Sequence, residues 1–145
     1  MRRLGLKIPH ELKPALEPHL YPQPRLAQGF WLAKHGLATA ALDLSDGLST
    51  DLNHLCEESG VAAEVNASAL PVAAGATLEQ ALNGGEDYEL LFAARPGARI
   101  PRAIAGVPLT RIGRILRRRA DKPAAVLITG KGARPIEPRG WQHFA

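Results

Sequence analysis

The run over positions 37–60, "LATAALDLSDGLSTDLNHLCEESG", constrains the fold most, because its hydrophobic period changes partway along. Up to position 45 the residues are mostly apolar and alternate, with Ala41, Asp43 and Ser45 on one side and Leu42 and Leu44 on the other. That is the period of a buried strand. From position 46, Leu48, Leu52 and Leu55 recur at i, i+4 and i+7, and Gly60 ends the run, as in an amphipathic helix. The predicted unit is therefore a strand feeding directly into a helix, with Asp43 and Asp46 at the junction. An unpaired carboxylate buried there is costly or takes up a proton. A helix cap, a buried hydrogen bond or a bound cation has to compensate for it.

Strands and helices intermix along the rest of the chain. Positions 1–24 hold five prolines, too dense for a long helix, and read as a linker leading into a domain over 25–145. "RLAQGFWLAKHG" places Leu26, Phe30 and Ala33 at helical spacing and closes on Gly36. "VAAEVNA" reads as a strand, and "GATLEQALN" as a short helix ended by Gly84 and Gly85. "EDYELLFAA" alternates as a strand, with Glu86, Tyr88, Leu90 and Phe92 on one face. "RIPRAIAGV" is compatible with a short helix, and "LTRIGRILR" and "AAVLITG" read as strands. The expected class is α/β (α+β), a mixed sheet with helices packed on it.

Composition removes several function classes. The chain has 145 residues, close to the size of one ordinary domain, and a net charge of +4. Much of the excess charge sits in Arg117, Arg118 and Arg119. An arginine triplet without interleaved aromatics fits a solvated strand end or turn better than a nucleic-acid surface. The single cysteine, Cys56, allows no internal disulfide and sits in the apolar helical pattern as a core residue. No stretch has the length of a membrane span, and the N-terminus lacks a signal-type apolar core, so a cytoplasmic location is expected. The sequon Asn66-Ala67-Ser68 is then a chance match. There is no phosphate loop, dinucleotide fingerprint, zinc spacing or hydrolase elbow. The five histidines are scattered, and His54 reads as a surface or packing residue.

Two clusters remain that can carry chemistry. Asp43, Ser45 and Asp46 stand where a strand ends and a helix begins. Magnesium in nucleotide enzymes is commonly held by one or two carboxylates plus phosphate oxygens and water. A serine between the acids can donate to a phosphate oxygen, and a helix N-terminus favours anions. A plain N-cap role for Ser45 or Asp46 is equally open on spacing. In "GGEDYELLF" the glycines permit a tight turn, and Glu86, Asp87 and Glu89 follow. On spacing alone this reads better as a hairpin turn followed by an edge strand with a charged outer face.

Taken together, "LDLSDGLSTDLNHL", "LNGGEDYELLF" and the terminal "GWQHF" resemble the C-terminal half of the thiamine-monophosphate kinase family, in the right order over essentially the whole chain. The fold this resemblance implies is that of the C-terminal domain of AIR synthase-related proteins. It implies an ATP- and Mg²⁺-dependent phosphorylation of thiamine monophosphate to thiamine diphosphate. Asp43 and Asp46 would be metal ligands, Ser45 an ATP contact, and Glu86 and Trp141 contacts to the thiamine phosphate. It further implies an N-terminal domain carrying more acidic ligands, and a homodimer. Nothing in positions 1–38 resembles that domain, so the chain is expected to be half an enzyme with negligible activity alone. A related ATP-dependent synthase and a non-catalytic thiamine-phosphate-binding module are the alternatives.

Overall fold

The protein is described by a computed structural model over residues 20–140. Most of the expected linker, and Trp141 with the rest of "WQHFA", lie outside the described residues. In chain order the elements are α1 (Leu26–Lys34), β1 (Ala38–Asp43), α2 (Leu48–Glu58), β2 (Val61–Asn66), α3 (Leu78–Asn83), β3 (Leu90–Ala94), β4 (Ala103–Ile104), β5 (Val107–Pro108), β6 (Gly113–Arg117), β7 (Ala125–Thr129) and β8 (Gly132–Pro135).

The main sheet has the order β6-β2-β7-β8, with β2 parallel to β7 and the other pairings antiparallel. The sheet is therefore mixed, with helices packed on it, as the sequence predicts. Strand β2 lies between β6 and β7, which are separated in sequence only by a polar turn. Alternation decides which face is dry: Ala63 and Val65 on β2, and Ala125 and Leu127 on β7, are buried. Onto that face α2 lays Leu48, Leu52 and Cys56, and Leu82, Ala124 and Ile136 complete the cluster. Each leucine buried this way contributes about 1.5–3 kcal/mol relative to exposure. Burial also raises the pKa of the Cys56 thiol, in keeping with an inert core residue.

Beside this sheet runs a two-stranded antiparallel ribbon, β1 with β3, in the register Asp43↔Leu90 and Ala41↔Phe92. Helix α1 is held to it by Arg25, whose Nε and Nη2 donate to the two carboxylate oxygens of Glu89 at 2.9 and 2.5 Å. A two-pronged guanidinium–carboxylate pair fixes orientation even at the surface, where its net energy is small.

The helix expected from Leu26, Phe30 and Ala33 is α1, although the residues it buries are Gln28 and Leu32, and Leu26 and Phe30 stand 77% and 81% exposed. Other expectations need correcting. The helix predicted in "RIPRAIAGV" is the small hairpin β4–β5, pairing Ile104 with Val107. The strand predicted from Glu86 begins only at Leu90, because Glu86 and Tyr88 take positive φ values of 64° and 50°. The tail carries a strand, β8, that its prolines and glycines conceal; Pro135 is tolerated because β8 is an edge. Asn66 acts locally, its Oδ1 accepting from the backbone N–H and the hydroxyl of Ser68 to cap a short 3₁₀ turn. The arginine triplet sits at a strand end and turn: Arg118 donates to the carbonyl of Lys122, and Arg119 pairs with Asp121.

Candidate functional site: two acidic loops stitched together at the start of a helix

Strand β1 delivers Asp43 to its end, and the chain then turns through Leu44–Gly47 before α2 begins. The "GGEDYE" loop runs against this turn, joined to it by three backbone hydrogen bonds. Leu44 N–H donates to the carbonyl of Glu89, Tyr88 N–H to that of Leu44, and Glu86 N–H to that of Ser45, each at 2.8 Å. The glycines make this approach possible. A Cβ on Gly85 would lie 2.7 Å from the Ser45 carbonyl oxygen, and one on Gly47 would lie 2.9 Å from that of Gly84. The tight turn that the glycine pair permits brings this loop against the other one. Two segments about 40 residues apart thus form one structural unit, with Asp43, Ser45 and Asp46 on one side and Glu86 and Asp87 on the other.

Within this unit Ser45 and Asp46 are half-buried, whereas Asp43, Glu86 and Asp87 are exposed. The exposure of Asp43 corrects the expectation of a carboxylate buried on its strand; β1 turns Thr39, Ala41 and Asp43 outward. The N-cap reading is also corrected. Gly47 is the N-cap residue of α2, and no side chain caps that helix. Positive φ at Glu86 and Tyr88 is a costly conformation for residues with side chains, held here by the stitching.

The acid that is buried is one that sequence reasoning did not single out. Asp51, in the first turn of α2, is 5% exposed, and its Oδ2 accepts from the backbone N–H of Asp46 at 3.1 Å. Burial pushes its carboxyl above the usual range. The Asp46 N–H opposes that shift, the Asp46 charge adds to it, and the N–H groups of Ser45 and Gly47 oppose it again. A signal was available in the sequence: position 51 is i+3 from Leu48 and i−4 from Leu55, so it shares the apolar stripe. Asp51→Ala removes the acceptor for buried loop amides, and the expected loss is about 1–3 kcal/mol of unfolding free energy. Asp51→Asn, which keeps one carbonyl oxygen, is expected to lose less. Urea denaturation of both variants checks this.

Among the described residues no group of three or more His, Cys, Asp or Glu side chains is placed to hold a metal by itself. Asp43 and Asp46 would offer two hard carboxylate ligands, a set that suits Mg²⁺ only where phosphate oxygens and water complete the shell. Glu89, the third acid of its motif, is committed to Arg25. Trp141 lies outside the described residues, but Gly140, immediately before it, packs at this same loop.

Residues 8–123 match the family described as AIR synthase related protein, C-terminal domain, and the chain belongs to that family. It is 37% identical over 142 residues to the thiamine-monophosphate kinase of Salmonella typhimurium, covering 90% of this chain and 42% of that protein. With the enzyme of the same name from Haemophilus influenzae it shares 38% identity over 138 residues, covering 87% of this chain and 42% of the relative. Among solved structures it is similar to one described as AaThiL complexed with AMPPCP and TMP. That match has a TM-score of 0.72 and 31% identity, over 99% of this chain and 45% of the other. The thiamine-monophosphate kinase of Stenotrophomonas maltophilia matches at a TM-score of 0.65 and 32% identity, over 86% of this chain and 42% of that one. The chain thus spans rather less than half the length of the relatives it matches. No helix among the described residues is long and apolar enough to cross a membrane.

Proposed function

We propose that this chain, with its domain over 25–145, supplies the C-terminal half of an ATP- and Mg²⁺-dependent kinase site. That site converts thiamine monophosphate to thiamine diphosphate in the cytoplasm. The observation carrying this reading is the stitched loop pair, which sets Asp43, Ser45 and Asp46 beside Glu86 through hydrogen bonds of 2.8 Å. The similarity to thiamine-monophosphate kinases, and to a structure holding AMPPCP and TMP, supports it.

Joining two phosphate groups concentrates negative charge, so catalysis is mostly neutralisation and alignment rather than covalent chemistry. Asp43 and Asp46 would hold Mg²⁺, which when bound supplies that neutralisation. The Ser45 hydroxyl donates to a phosphate oxygen of ATP, and the N-terminus of α2 adds a field favourable to anions. Glu86, on the opposing loop, contacts the thiamine phosphate, and Trp141 offers its ring face to the cationic thiazolium. No histidine base or serine nucleophile is required. Two carboxylates are a sparse set for a triphosphate, so we assign the remaining ligands to an N-terminal domain, in the same or a separate polypeptide, within a homodimer. The exposed apolar pair Leu26 and Phe30 on α1 supports a surface that another domain covers.

The experiment is titration calorimetry of this chain with AMPPCP, with and without Mg²⁺, for the parent and for Asp43→Asn. Weak, Mg²⁺-dependent binding is expected in the parent, and Asp43→Asn is expected to lose the Mg²⁺ dependence. Equal affinity of the two proteins in Mg²⁺ would remove the metal role and favour a non-catalytic binding module. Robust conversion of thiamine monophosphate by the parent chain alone would contradict the division of the site between two halves.

A further inference from the structure

The two outer strands of the main sheet are not alike. Strand β8 runs only four residues and ends on Pro135, which blunts it as a template for a further strand. Strand β6 runs five, holds no proline, and leaves Ile115 41% and Leu116 36% exposed. Cross-strand neighbours share a face, so Ile115, opposite the buried Ala63, stands on the α2 side of the sheet and Leu116 on the other. The backbone groups alternate in the same way. Asn66 N–H donates to the Ile112 carbonyl at 2.8 Å, which in this register makes Glu64–Arg114 and Ala62–Leu116 the bonded pairs. The N–H and C=O of Ile115 and Arg117 then point away from β2, to the open edge. The Gly113 carbonyl belongs to the same set, and it accepts from the Arg111 side chain, through Nε at 3.3 Å.

The charge along this edge has one sign. Positions 111–122 hold five arginines and one lysine against one aspartate, in a chain whose net charge is +4. Among the described residues Arg114 pairs with Glu64 and Arg119 with Asp121, whereas Arg111 and Arg118 donate to backbone carbonyls. Such an edge is guarded against a copy of itself. Antiparallel self-pairing centred on Ile115 would set Arg119 of each copy opposite Arg111 of the other, and like charges directly opposite are destabilising. The same charges attract an acidic strand. A nucleic acid finds less to hold, because no aromatic side chain stands among these arginines to stack on a base.

We propose that β6 is a docking edge for an acidic, extended peptide segment of a partner protein. The segment adds as a strand, bonding to the open backbone groups of Ile115 and Arg117. Its apolar side chains cover Ile115 and Leu116, and its carboxylates meet the arginines at either end of the strand. The proposal is independent of the kinase reading. The probe is a fluorescent peptide of about seven alternating Glu and Val residues, titrated into the chain and followed by anisotropy. Binding is expected, weakening about fivefold between roughly 50 and 200 mM NaCl. Hydrogen exchange at the Ile115 and Arg117 amides is expected to slow about tenfold in the complex. Ile115→Pro removes an N–H that the bonding to β2 does not use, and is expected to weaken binding about tenfold. Arg117→Glu, expected to weaken it likewise, serves as the second variant should Ile115→Pro not fold. Absence of binding, equal binding of the peptide with Lys in place of Glu, or unchanged exchange at the two amides would overturn the proposal. Tighter binding of a single-stranded oligonucleotide of equal charge would overturn it in favour of nucleic acid. A peptide-free dimer in sedimentation that Ile115→Pro dissociates would overturn it in favour of a second copy.

Discussion

Replacing Gly47 by alanine is expected to lower the unfolding free energy by about 2–4 kcal/mol, combining backbone strain with overlap. Gly47 has φ 100° and ψ 148°, close to a region that side chains all but exclude. Even at unchanged dihedrals, an added Cβ would lie 2.9 Å from the Gly84 carbonyl oxygen and 3.1 Å from Asn83 backbone atoms. Neither partner is a flexible side chain, so relief requires the two loops to part. Their separation would stretch the bonds from Glu86 and Tyr88 to Ser45 and Leu44, and with them the juxtaposition of Glu86 and Asp46. Urea denaturation of Gly47→Ala measures the first effect, and ligand titration of the residual folded protein measures the second. A loss below about 1 kcal/mol would mean that the loops are not locked by this contact.

Leu127→Ala is the second large effect, expected at about 2–5 kcal/mol. Leu127 is fully buried on β7, within the core shared by α2, β2 and Leu82. Truncation leaves a cavity between a sheet and a helix, neither of which can collapse without disturbing the other. Domains of this size are stable by about 5–15 kcal/mol, so the loss would be a large fraction of the whole. The comparison that gives it meaning is Asp43→Asn. Asp43 is exposed at a strand end, and its replacement should change stability by no more than about 0.5 kcal/mol. Parallel thermal and chemical denaturation of the two variants would separate the scaffold from the residues it displays.

Much of the candidate site was legible because it is built from local pattern. The change of period at position 46 located the strand-to-helix junction, and Asp43, Ser45 and Asp46 followed from it. The glycine pair marked a tight turn before Glu86. What stayed hidden was the partner of each group. The alternation in "EDYELLFAA" reads as strand throughout, yet the bonds from Glu86 and Tyr88 to the other loop impose positive φ before the strand begins. Asp43 could be placed on a strand, but the depth of that strand depended on a two-stranded ribbon with an open face. Asp51 stayed hidden because a charge on an apolar stripe shows its use only once the amides it serves are in place.

By itself, then, the sequence determined the mixed α/β class, the junction that carries the acids, the inert core position of Cys56 and the order of the motifs. Each of these follows from residues within a few positions of one another, where hydrophobic period and glycine placement act directly. Tertiary structure alone decided that β2 separates β6 from β7, that Glu89 belongs to Arg25, and that Gly140 is seated against Asp46 by Thr50. Such contacts join residues tens of positions apart. They exist only when the chain closes those loops and buries the polar groups that must then find one another.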